Sequence, residues 1–189
     1  MTAVLGANGW VADPGQANRI RVDVGAGHFF KGLHFRSFLR LNIATGQKQV
    51  VKAVVPTNTI LLDFNVQLKQ GALECRTVTG PGLVEGGSFN TPLPIFACNS
   101  MTTVPGFPTI PVPEVTLDTG GSITSGGVER DVFFCQVSGQ GNQASTSGAG
   151  QEDIRGVPGA AASVFWFEFI ASGIEASAGV LHVRWEERP

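Results

Sequence analysis

Charge is scarce in this sequence. Asp, Glu, Lys and Arg together make up 15% of its 189 residues, where an average soluble domain carries about 25%. The 13 Lys and Arg residues are dispersed rather than clustered, and the formal net charge is -2. Binders of nucleic acid and of anionic membranes show a basic patch or stripe, so its lack argues against both partners. Cysteine is scarce too. Cys75, Cys98 and Cys135 are odd in number and fall in no CxxC or Cys/His spacing, which argues against a disulfide framework or a zinc site. Cys75 and Cys135 sit in apolar strand patterns, where a free buried thiol is the ordinary outcome. No uncharged stretch is long enough to read as a membrane span. The opening Met1-Thr2-Ala3-Val4-Leu5-Gly6 has neither the basic nor the sustained apolar region of a signal peptide. Synthesis and folding in a cytoplasm are the expectation.

Against these shortages stand 42% hydrophobic residues, 25 Gly and 11 Pro, with many Thr, Val and Phe. That balance points to short strands joined by tight turns, an all-β composition. The length suits one domain with a sizeable core. Little polar material remains to cover a monomer, and exposed apolar patches usually mark contact surfaces, so an oligomer or a lattice component is expected.

The clearest local pattern runs from Ile60 to Lys69. Ile60, Leu62, Phe64, Val66 and Leu68 occupy every second position, which in an extended segment puts all five on one face. Gln70-Gly71 then supplies a connection of hairpin length before a second extended run, Ala72 to Val78. Further strands are expected at Asn18–Val24, His34–Ile43, Lys48–Val55, Glu114–Asp118, Val128–Ser138, Ser163–Ile170 and Val180–Trp185, with a short edge strand within Gly86–Ile95, where prolines cannot serve a central ladder. In the Ser163–Ile170 strand, Phe165, Phe167 and Phe169 share one face while Trp166 and Ile170 load the other, so it is either central or at an interface. In the last strand Leu181, Val183 and Trp185 alternate with His182 and Arg184. Gly139–Gly159 is polar and low in complexity, and reads as a surface loop. Gly-Gly-Ser recurs at 86–88 and 120–122, too short an echo to define a repeat. About nine to ten strands and no convincing helix favour an antiparallel two-sheet β-sandwich of jelly-roll type. An extended N-terminal arm, residues 1–17, precedes a single sandwich domain, residues 18–189.

Catalytic patterns are weak. Gly139-Gln140-Gly141-Asn142-Gln143-Ala144 matches the dinucleotide string G-x-G-x-x-G/A, but Ser145 to Gly150 is a poor helix and there is no βαβ alternation, so the pyrophosphate has no helix N-terminus to meet. No Ser stands in a G-x-S-x-G elbow. His34 and His182 fall on polar strand positions, and His28 and His34 are not at a metal-ligand spacing. Glu186 and Glu187 beside Arg188 read as a solvated terminus rather than as paired acid/base carboxylates. No enzyme, cofactor or metal is expected.

One resemblance bears on function. Phe38-Leu39-Arg40-Leu41-Asn42-Ile43-Ala44-Thr45-Gly46-Gln47, Val50-Val51-Lys52 through Pro56 to Ile60-Leu61, Gly86-Gly87-Ser88-Phe89-Asn90-Thr91-Pro92-Leu93-Pro94 and Val183-Arg184-Trp185-Glu186-Glu187-Arg188 form a discontinuous series over about two thirds of the chain that resembles small virion structural proteins of tailed bacteriophages. Jelly-roll cement or decoration proteins of capsids are the most similar group. The resemblance implies a homotrimer on the capsid surface of the virion, bound to the major capsid protein, without catalysis and without contact to nucleic acid or membrane. The arm around Trp10 and the extended, proline-rich Val104–Pro113 segment with Phe107 and Ile110 are then candidate clamps. Phe165, Trp166, Phe167 and Ile170 are candidate subunit contacts. The alternative is a tail or head-fibre component that binds a host surface glycan, for which Trp10 and the Gly139–Gly159 loop are the candidate segments.

Overall fold

The computed structural model describes residues 11–12, 20–21, 33–56, 59–98, 112–137, 146–148 and 162–187; for 11–12, 20–21, 60–63 and 146–148 it describes the backbone alone. Among the described residues there are fifteen strands and no helix. The first eight are β1 (Val11–Ala12), β2 (Ile20–Arg21), β3 (His34–Ile43), β4 (Lys48–Val55), β5 (Thr59–Gln70), β6 (Ala72–Thr79), β7 (Val84–Gly86) and β8 (Thr91–Pro92). The others are β9 (Ile95–Ala97), β10 (Thr116–Thr119), β11 (Ser122–Ser125), β12 (Val128–Gln136), β13 (Thr146–Gly148), β14 (Ser163–Ala171) and β15 (Ser177–Glu187). A five-stranded sheet has the order β13-β5-β15-β3-β9, and a six-stranded sheet the order β12-β6-β14-β4-β10-β8. Two-stranded pairs join β1 to β2 and β11 to β7. The pairings are antiparallel throughout.

The two large sheets share one core. Phe35, Leu41, Phe64, Val66, Leu68, Leu181, Val183 and Trp185 come from the five-stranded sheet, and Val51, Ala53, Leu73, Cys75, Leu117, Phe167 and Phe169 from the six-stranded one. The alternation of apolar residues explains the arrangement. On β15, Leu181, Val183 and Trp185 are buried while His182 and Arg184 are exposed, so the fold is sandwich-like and all-β, as the composition implies.

Consecutive long strands do not pair with each other. β3 and β4, β5 and β6, and β14 and β15 each divide between the two sheets. The hairpin expected at Gln70-Gly71 is therefore corrected: the chain crosses there from one sheet to the other, and β6 pairs with β12 and β14 instead. Three such crossings gather at one end of the molecule and are tied together. Gly46 N donates to Ala171 O at 3.3 Å, Ala171 N to Gln47 O at 3.0 Å and Ser172 N to Ala72 O at 3.0 Å. Ser177 Oγ donates to Ala72 O at 2.7 Å.

The strand that carries the clearest alternation, β5, keeps it over Phe64, Val66 and Leu68, all buried. Its register against β15 skips one residue twice, from Gln70 to Leu68 and from Asp63 to Leu61. Such bulges shift the phase of a strand, so the periodicity at Ile60 and Leu62 is not continuous with that at Phe64. Phe64 itself lies between the sheets, with its ring centroid 4.4 Å from that of Phe167, 6.0 Å from Phe169 and 6.2 Å from Phe133.

β14 is the central strand that its two apolar faces allow, flanked by β4 and β6. Its inner face supplies Phe165, Phe167 and Phe169 to the common core. Its outer face supplies Trp166 to a second, smaller cluster with Val50, Val78 and Ile123, against which Leu83, Phe89 and Val164 pack. β7 and β11 form a cap over that cluster. The two Gly-Gly-Ser strings meet in it, with Ser122 paired to Gly86, and the Phe89 ring occupies the space that a side chain at Gly121 would need.

One other expectation shifts: β13 lies inside the stretch 139–159 read as a loop, pairing Thr146 with Gln67. β1 pairs with β2. The edge position expected for the Gly86–Ile95 segment is met by β8, whose Pro92 lies on the outermost strand of the six-stranded sheet.

Candidate functional site

Among the described residues no group of three or more His, Cys, Asp or Glu is placed to hold a metal ion, and no helix is long and apolar enough to cross a membrane. The G-x-G-x-x-A string at 139–144 lies outside the described residues. The carboxylates of the charged end are structural. Glu186 is buried and lies 3.2 Å from His34 Nε2. Glu187 accepts from the backbone N–H of Glu114 at 3.0 Å, from that of Val115 at 3.1 Å and from Trp185 Nε1 at 2.9 Å. This corrects the solvated reading of Glu186 and Glu187, whose oxygens are committed to securing β15, β3 and the segment that enters β10.

The cap is held to the six-stranded sheet by a second polar set. Lys52 Nζ pairs with Glu85 at 2.8 Å and stands over the rings of Phe89 and Trp166, at 5.6 and 5.8 Å from their centroids. Trp166 Nε1 donates to the same Glu85 oxygen at 2.9 Å. Lys48 Nζ bridges Glu168 at 2.7 Å and the Ile123 carbonyl at 2.6 Å. The Glu85 contacts of Lys52 and Trp166 join β4 and β14 to β7, the Lys48–Ile123 bond joins β4 to β11, and the Lys48–Glu168 and Lys52–Trp166 contacts lie within the sheet, so the arrangement is a clamp.

Cys75 and Cys135 are free and buried, with their sulfurs 4.0 Å apart. The contact with Cys135, and burial after it, push the Cys75 thiol far above its ordinary value of 9.0, which makes it a poor nucleophile. A stability effect follows. Because the folded pKa is raised, the contribution is complete below the ordinary value and is lost as pH rises through it, since only the unfolded chain then ionises. Above pH 9.0 Cys75 is expected to cost the fold up to about 1.4 kcal/mol per pH unit. Urea midpoints measured at pH 8 and pH 10 check this: Cys75→Ala should flatten the decline between them relative to the parent chain, and an unchanged decline would contradict it.

Three surface features remain. On β12, the outermost strand of the six-stranded sheet, Val132 and Phe134 face outward, and Phe134 is 66% exposed. At the crossover end Ile174 is fully exposed. On the opposite side of the molecule, the outward positions of β3, β5 and β15 line a groove of about 520 Å3 that includes Arg36, Phe38, Asn65, Gln67, Phe96, His182 and Arg184. Burial raises the pKa of the nearby Cys98 thiol, against the opposing pull of the Arg36 and Arg184 charges.

Of the candidate contact residues, Trp10, Phe107 and Ile110 lie outside the described residues. Phe167 and Trp166 are buried within the chain, Phe165 packs against the common core, and Ile170 is half-buried on β14. The second apolar face of β14 is covered by the chain's own cap, which consists of β7 and β11, far from it in sequence and short, so the aromatic run alone could not distinguish this cover from a neighbouring subunit. Sequence reasoning also missed Phe134 and the groove. Phe134 shares an apolar run with Phe133, and only the register tells which of the two faces out; the groove residues sit on three strands that the sequence does not bring together. No family model matches the chain, and neither a curated protein nor a solved structure matches it.

Proposed function

We propose that this chain is a non-enzymatic virion structural protein, a cement or decoration protein that binds the outside of a phage capsid as a homotrimer and braces the major capsid protein. The strand order supports a jelly-roll reading. β3-β15-β5-β13 opposes β4-β14-β6-β12, which is the order of two Greek keys folded over each other, with β9, β10 and β8 added at the edges.

The observation that carries the reading is the outward Val132 and Phe134 on the edge strand β12. An apolar stripe beside a strand edge that no described strand pairs with suits association, and an interface of about 1,000 Å2 or more supplies the binding through burial, without chemistry. The arm around Trp10 and the Val104–Pro113 segment are the proposed clamps on the capsid. Sedimentation equilibrium at micromolar concentration tests the association: a mass three times the 19.8 kDa chain is expected, falling to the monomer in Phe134→Asp with the circular dichroism unchanged. A monomeric parent chain would overturn the trimer. A tail or head-fibre protein that binds a host glycan is the second reading, favoured by the groove on the five-stranded sheet.

A further inference from the structure

The two outer faces of the sandwich differ. The six-stranded sheet carries the β7–β11 cap over Val50, Val78 and Trp166. The outward positions of β3, β5 and β15 instead line the groove of about 520 Å3, a size typical of small-ligand sites. Register fixes what meets there. His182 stands opposite Phe38 on one side and Asn65 on the other, and Arg184 stands opposite Arg36.

Three observations specify a ligand. Phe38 and Phe96 stack with centroids 5.9 Å apart and planes 6° from parallel, and each is at least 40% exposed, so the pair offers a flat apolar platform. Asn65 Oδ1 is buried without a hydrogen-bond partner among the described residues; a buried acceptor in that state is costly until a donor reaches it. Arg36 enters no ion pair among the described residues, and none of the described residues that line the groove is a carboxylate. Arg184 already has an interaction partner, which makes Arg36 the cation on which the assignment rests.

We propose that this groove binds an acidic saccharide. One sugar ring lies with its C–H face on the Phe38–Phe96 platform, its hydroxyls meet Asn65, Gln67 and His182, and its carboxylate pairs with Arg36. A hydroxyl donates as well as accepts, so it satisfies Asn65 Oδ1. A simple inorganic anion lacks the apolar face that the stacked rings call for, and an apolar ligand would bury Arg36 and Asn65 uncompensated. The assignment extends the glycan-binding alternative by naming its site and ligand class, and it does not depend on whether the chain sits on a head or a tail.

Isothermal titration of the full chain in solution tests it without any capsid. The probes are N-acetylneuraminyl-lactose and trigalacturonate, with lactose and an acidic tetrapeptide as comparisons. Saturable binding of at least one acidic saccharide is expected, with lactose weaker by about tenfold or more, since a charge-assisted bond to Arg36 is lost. Arg36→Gln should remove that preference, and Phe38→Ala should weaken both sugars about tenfold; Phe96→Ala probes the platform independently should Phe38→Ala fold poorly. No binding of either acidic saccharide, affinity unchanged in Arg36→Gln, or binding of the acidic peptide alone would overturn the proposal. Because no capsid is present, a negative result here leaves the cement reading to its own test.

Discussion

Replacing Phe64 with alanine is expected to cost the fold about 3–5 kcal/mol, the range for truncating a fully packed aromatic. Phe64 is 7% exposed and belongs to β5, yet the rings that it meets, Phe133, Phe167 and Phe169, belong to the facing sheet. Its removal therefore takes away both its own transfer free energy and the contact that registers one sheet against the other, and neighbours held by two ladders cannot collapse into the space. Urea denaturation of Phe64→Ala beside Phe134→Ala checks the argument. Phe134 is 66% exposed, and its truncation should cost about 0.5 kcal/mol or less. Equal losses at the two positions would mean that Phe64 does not join the sheets.

The second large effect is expected at Gly71. Its φ is +80°, and a side-chain carbon added there would come within 2.6 Å of Ser177 Oγ and 2.7 Å of the Ala176 carbonyl oxygen. Gly71→Ala combines a left-handed backbone penalty of about 1–2 kcal/mol with displacement of the β14–β15 corner, for a total of about 3 kcal/mol. Gly46 provides the control. Its φ is +69° with nothing within 4 Å of the added carbon, so Gly46→Ala should show the backbone term alone, about 1 kcal/mol. Thermal or urea unfolding of the two variants separates conformation from packing. If they lose the same stability, the crossing at Gly71 is not clamped by Ser177.

That comparison also shows where the sequence was legible and where it was not. The alternation in β15 assigned Leu181, Val183 and Trp185 to the core and His182 and Arg184 to the surface, because a strand's side chains obey a period of two whatever it pairs with. The same rule identified β3, β4, β14 and the middle of β5. It does not say which strand lies beside which. Gln70-Gly71 has the length and the glycine of a hairpin turn, and the hydrogen bonds that make it a crossover join Ala72 to Ser172 and Ser177, the wider of them across 105 residues of chain, a long-range closure. Bulges were equally hidden, since a skipped residue at Lys69 or Leu62 leaves no mark in composition.

The functional surfaces were harder to read than the core for the same reason. Trp166 looked available for a neighbour because its cover, Ile123, Leu83 and Phe89, lies in Gly-rich segments with no strong period of their own. Glu187 looked solvated because its three N–H donors sit on Glu114, Val115 and Trp185. The groove joins outward residues of β3, β5 and β15 with Phe96 of β9, and each of them alone reads as an ordinary exposed strand position.

The central claim is that the chain braces a capsid through burial rather than chemistry, and its location in the virion tests that most directly. On the proposed reading the encoding genome is a phage's, so intact particles that it produces are separated into heads and tails, and the chain is quantified in each by mass spectrometry. The account predicts that the chain is found with the heads, in a copy number that is a multiple of three. Finding it only with the tails would contradict it.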